Sequence, residues 1–164
     1  MITTILVEHP WLTTAGLGLL VVAGPPLGVL LVRRRRTTQV LLAASLVAIA
    51  LLTLTPSGSD LGVRCVAEWS WPALGRVELI ANAILFVPAV ALASLLTRRP
   101  VPTLLGASAS SVLIEGVQAL VTPLGRSCST NDWLYNTLGA LLGAAVAALA
   151  LHLDRRGEPA AARE

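Results

Sequence analysis

Three short spacings in this 164-residue chain set groups that could do chemistry on single helix faces. Glu78 and Asn82 are four residues apart, as are Asp132 and Asn136, and Glu115 precedes Gln118 by three. Residues at i and i+3 or i+4 are neighbours on a helix. Each couple therefore places a carboxyl, which can hold or move a proton, beside a carboxamide, which can hydrogen-bond a ligand. Arg126 adds a cation close in sequence to the last couple. A nucleophile with a base is missing: Ser127, Ser129 and Thr130 have no His partner, and His9 and His152 lie at opposite ends of the chain. Cys65 and Cys128 without a neighbouring His do not make a zinc site, so neither a metal nor a cofactor is expected. What is on offer is acid–base work or recognition of a polar group.

The surroundings of these residues decide what they mean. The chain is 55% hydrophobic and only 13% charged, with a mean hydropathy of +0.77. Soluble domains average about 25% charged residues, and a soluble fold of this composition would expose large apolar patches. The composition calls for a membrane protein, and the length allows a handful of spans at about 20 residues each. Five follow from the apolar runs: Trp11 to Val32, Thr38 to Thr55, Val77 to Thr97, Thr103 to Pro123 and Trp133 to Leu153. The expected fold is all-α, a polytopic membrane bundle of about five transmembrane helices. It divides into a first span with its arginine cluster (1–37), a four-helix domain (38–153) and a frayed polar tail (154–164). Pro25 and Pro26 should kink the first span.

All twelve basic residues are arginine, and their distribution sets an orientation. Nine fall in alternate loops and the tail (Arg33 to Arg36, Arg98, Arg99, Arg155, Arg156 and Arg163), against Arg64, Arg76 and Arg126 on the other side. The positive-inside rule then puts the N-terminus outside and the C-terminus in the cytoplasm of a multi-pass cell-membrane protein. Trp11, Trp69, Trp71, Trp133 and Tyr135 fall near the outer interface, where aromatic rings anchor; Trp69 and Trp71 could instead cap a pocket. Cys65 and Cys128 also fall in outer loops, where a disulfide can persist, although two unbonded thiols are the alternative. A bridge closing a loop of about 60 residues is worth roughly 4 kcal/mol in the chain-entropy model.

In this topology the polar couples of spans three, four and five occupy one half of the membrane. An amide within a span is often no more than an interhelical hydrogen bond, and Glu78 and Asp132 could be charges favoured at helix N-termini. Glu115 is harder to explain away, lying eight residues inside Pro123 and so roughly 12 Å below the outer end. Left alone there it would hold its proton; beside Arg76 or Arg126 it would stay ionised. If the three spans pack together, with Gly139 and Gly143 offering a close-packing face on the last, Glu78, Asn82, Glu115, Gln118, Arg126, Asp132 and Asn136 line one outward pocket. Spans two–three and four–five also share an order of features (outer loop with Arg and Cys, then acid-x-x-x-Asn heading a helix), consistent with a duplication.

The ordered series Asn82-Ala-Ile-Leu-Phe86-Val-Pro88, Ile114-Glu115-Gly-Val-Gln118, Gly125-Arg126 and Asp132-Trp-Leu-Tyr-Asn136-Thr-Leu-Gly139-Ala-Leu-Leu-Gly143 resembles the VanZ-like family of small integral membrane proteins. The resemblance runs from about Thr38 to Leu153 and implies roles for Asn82, Phe86, Pro88, Glu115, Gln118, Arg126, Asp132, Asn136 and Gly139. The family pattern has Gly where this chain carries Val90. The family is associated with low-level resistance to teicoplanin-type lipoglycopeptides, which is an analogy rather than a site argument.

These readings favour a non-enzymatic cell-envelope protein binding an amphiphile, either a lipid-linked wall precursor or a lipoglycopeptide. Membrane lipid or such a ligand is the expected partner. A membrane-embedded acid–base enzyme acting on a lipid-linked substrate comes second, and a proton or solute transporter third. A nucleic-acid role is excluded, because the arginine clusters are short juxtamembrane runs without interleaved aromatics.

Overall fold

A computed structural model describes residues 9–57, 65–70 and 76–157; Arg64, Trp71, Arg163 and the end of the tail lie outside them. Helices α1 (Trp11–Val32) and α2 (Arg35–Leu54) come first. A two-residue strand, β1 (Cys65–Val66), precedes α3 (Val77–Thr97) and α4 (Pro100–Leu120). A 3₁₀ turn (Thr122–Leu124) and β2 (Cys128–Ser129) lead into α5 (Thr130–Gly157). The five α-helices among the described residues are all long and apolar enough to cross a membrane, as in an all-α polytopic membrane bundle.

Helix ends depart from the expected boundaries for local reasons. The α2 helix begins within the arginine cluster, and the buried Thr38 hydroxyl donates to the carbonyls of Leu31 (2.8 Å) and Arg34 (3.1 Å), tying it to the end of α1. Pro100 opens α4, where a fixed φ and a missing N–H cost nothing. The start of the tail is helical rather than frayed: α5 continues to Gly157 because the buried Asp154 carboxylate meets Arg33 Nε at 3.2 Å. Helix α1 runs through Pro25 and Pro26, which leave the carbonyls of Val21 and Val22 without their usual helical donors.

The centre of the bundle is the α3–α5 pair, the two helices with the largest buried share. A Cβ at Gly139 would run into the Ala83 carbonyl oxygen, and one at Gly143 into that of Val87. Only glycine permits so close an approach. Next to this seam, the buried Val90 packs against Ala140 and Ala144, whose small side chains accommodate its bulk. Helix α1 leans on α5, with Gly28 against Ala150 and Gly24 against Val146. Helix α2 leans on α3, where Ile49 packs with Phe86 and Ala89. The α1 and α2 helices touch each other only sparsely.

The Gly139→Ala variant should lose about 1–3 kcal/mol of stability, the usual cost of overpacking. Gly106→Ala, where a new methyl meets nothing within 4 Å, should be neutral or slightly stabilising. Thermal unfolding of the two variants in detergent distinguishes the glycine seam from ordinary helix propensity.

Candidate functional site

All of the polar couples lie at one end of the bundle, opposite the clusters at Arg33–Arg36, Arg98–Arg99 and Arg155–Arg156. Asn82 and Asp132 stand near the starts of α3 and α5, and Glu115 and Gln118 near the end of α4. Asn82, Glu115, Gln118, Arg126, Asp132 and Asn136 line one cavity of about 460 Å³. Glu78 does not: it is exposed on the first turn of α3. Phe86 is buried between α2 and α3, and Pro88 lies one turn beyond the cavity floor.

Each amide bridges two helices. Asn82 Nδ2 donates to Asp132 Oδ1 at 2.7 Å, joining α3 to α5. Asn136 Nδ2 donates to Ser111 Oγ at 2.9 Å, joining α5 to α4. Gln118 Nε2 donates to the Thr53 carbonyl at 2.7 Å, joining α4 to the end of α2. Buried polar groups need such partners, since an unsatisfied one costs a few kcal/mol. Asn136 Oδ1 is nevertheless buried without a partner among the described residues.

Glu115 is 8% exposed, and neither Arg76 nor Arg126 is its hydrogen-bond partner. Its Oε2 accepts from the backbone N–H of Ser129 at 2.8 Å. Arg126 donates Nε to the Thr55 carbonyl at 3.1 Å and lines the same cavity, while Arg76 stands just before α3 and is exposed. A backbone donor carries no residue signature, so sequence could not name this partner.

The cavity walls extend beyond spans three to five. Leu12 and Thr13 of α1 and Leu52 and Thr53 of α2 complete the lining. Small hydroxyl residues in apolar spans carry little signal, since they commonly bond their own helix; Thr53 does this too, donating to Ile49 O. Only the packing reveals that these two face the site.

The VanZ/LLP1 family model matches residues 29–151, more than half of the chain, and takes in Asn82, Glu115, Gln118, Arg126, Asp132 and Asn136 of the lining. The chain belongs to the VanZ/LLP1 family. No curated protein and no solved structure matches it. The VanZ/LLP1 match begins inside α1, upstream of the Thr38 expected from the resemblance, and leaves Leu12 and Thr13 outside.

Above the cavity of this VanZ/LLP1 chain, two loops are stitched together. The β1 and β2 strands pair in parallel, Cys65 opposite Cys128 and Val66 opposite Ser129, and the two cysteines form a disulfide. Thr130 Oγ1 accepts from Glu68 N–H (2.9 Å) and donates to its carbonyl (2.6 Å), and Asn131 Oδ1 accepts from Ser70 N–H (2.9 Å). Trp69 meets Trp133 edge to face, ring centres 6.3 Å apart. Ser129, the donor to Glu115, sits directly after the bridged Cys128.

Replacing both cysteines by serine opens a 63-residue loop and should cost up to about 4 kcal/mol. Non-reducing gel mobility reports the bridge, and unfolding in detergent with and without reductant measures the loss in the parent but not in the double variant.

Proposed function

We propose that this VanZ/LLP1-family membrane protein sits in the cell membrane with its N-terminus outside and its C-terminus in the cytoplasm. Its polar cavity opens outward and holds the head of an amphiphile, a lipid-linked cell-wall precursor or a lipoglycopeptide. The observation that carries this reading is the convergence of six charged or amide side chains on one cavity whose other lining is mainly apolar. Its volume falls in the range of about 300–1,000 Å³ usual for ligand sites. Each carboxyl commits one oxygen to the protein, Glu115 Oε2 to Ser129 and Asp132 Oδ1 to Asn82. The remaining carboxyl oxygens are acceptors, which suits a head bearing hydroxyl, amide or ammonium donors. The family's association with teicoplanin-type resistance supports a role against such antibiotics.

In a sensitive host whose teicoplanin tolerance rises with the parent protein, Glu115→Gln and Asn136→Ala should each return tolerance toward that of the host at equal membrane abundance. Unchanged tolerance in both variants removes the cavity from the account. The orientation has its own check: alkaline phosphatase fused after residue 157 should be inactive, and inserted within 65–70 active. The opposite pattern inverts the topology.

One observation favours a second reading. Two carboxyls, Glu115 and Asp132, line the same cavity, the minimum set for acid–base chemistry on a lipid-linked substrate. Turnover of a radiolabelled polyprenyl-linked substrate by the purified protein, lost in both Glu115→Gln and Asp132→Asn, would establish an enzyme.

A further inference from the structure

A second cavity, also of about 460 Å³, lies along α1, α2 and α3 on the arginine-rich side of the polar one. The two follow one another along the same face of each helix. On α3, Ala81 and Leu85 line the polar cavity, and Pro88, Leu92 and Leu95 the second. Steps of four and three residues hold all five on one stripe. On α2 the stripe passes from Leu52 through Ala48 and Ser45 to Leu41, again in steps of four and three. On α1 it passes from Thr13 to Leu20 and Gly24.

We infer that these cavities form one amphiphile cleft, in which a ligand with its head at Glu115, Asp132 and Arg126 lays a single hydrocarbon chain along α3 between α1 and α2. This rests on the head-group reading above and adds where the tail goes.

The chemistry changes along the cleft as such a ligand requires. Past Leu85 the lining is apolar except for Ser45, whose hydroxyl donates to the Leu41 carbonyl at 2.9 Å and needs no other acceptor. From Leu85 to Leu95 the stripe is about 15 Å long at 1.5 Å per residue. That is half of a hydrocarbon core about 30 Å thick, the depth of one leaflet. The cleft is open because α1 rests on α5 and α2 on α3, leaving few contacts between them. A chain can therefore slide in sideways from the bilayer while its head stays at the polar end. Boundary lipid could also lie between two helices, but its chains would have no head group fixed at the cavity.

The full-length protein in phosphatidylcholine nanodiscs is photolabelled with dodecyl maltoside carrying a mid-chain diazirine, alongside a phosphatidylcholine bearing the same diazirine. The maltoside probe should label peptides containing 41–48 and 85–95 saturably, and unlabelled dodecyl maltoside should displace it. Ala48→Trp should cut that labelling at least fivefold, while Leu113→Trp, on a face of α4 exposed to lipid, should not. Ala44→Trp, at an exposed position lining the same groove, replaces Ala48→Trp if the latter does not elute as a monodisperse species. Equal, unsaturable labelling by both probes means boundary lipid and overturns the groove. Loss of labelling in Glu115→Gln but not in the groove variants also overturns it, while leaving the head-group reading intact. Loss in the groove variants alone supports the groove and sinks the head-group assignment.

Discussion

The arrangement of the whole bundle depends on the contact between α3 and α5. Gly139 and Gly143 let the α5 backbone meet the carbonyls of Ala83 and Val87, and any side chain at either glycine would force the helices apart. In a bilayer, where burying apolar surface between helices gains little over lipid, such close packing is a main source of association. It also fixes register. With Gly139 against Ala83, Asp132 two turns earlier on α5 comes within 2.7 Å of Asn82. The acid of the site is thus placed by glycines that never touch it.

Around that pair the other helices are held by polar bridges as much as by packing. Asn136 to Ser111 and Gln118 to Thr53 reach from α5 to α4 and from α4 to α2, and Arg33 to Asp154 ties the end of α1 to α5 at the far side. Each satisfies a group that would be costly to leave bare in hydrocarbon. Because these bridges lie at the perimeter, they surround a cavity instead of filling it. The disulfide-linked loops close over the same end and supply a backbone donor to Glu115. Support and site are therefore continuous: the loop that stabilises the fold also orients Glu115.

Much of this was legible in the chain. Low charge made every polar residue inside a span conspicuous, so helical spacing alone put Asn82, Glu115, Gln118, Asp132 and Asn136 at one end of the bundle. Two cysteines in loops on the same side pointed to the bridge that forms. Some details were hidden. Glu78 has the same i,i+4 relation to Asn82 that Asp132 has to Asn136, yet it faces out from the first turn of α3, because spacing fixes a shared face and not what that face meets. Asp154 looked like the start of a polar tail until its partner 121 residues away was known.

Five apolar runs long enough to cross a membrane, with acids and amides gathered at one end of the bundle, could be read from the chain. Hydropathy and the 3.6-residue period are local properties, readable residue by residue. Helix packing was needed to show that α1 and α2 wall the cavity, that Glu115 meets Ser129 and not an arginine, and that a second cavity lies below. The apolar faces of these helices look alike in sequence, and a backbone N–H has no side chain to announce it. Which face meets which neighbour is settled when glycine-scale fits between whole helices are chosen over all the others.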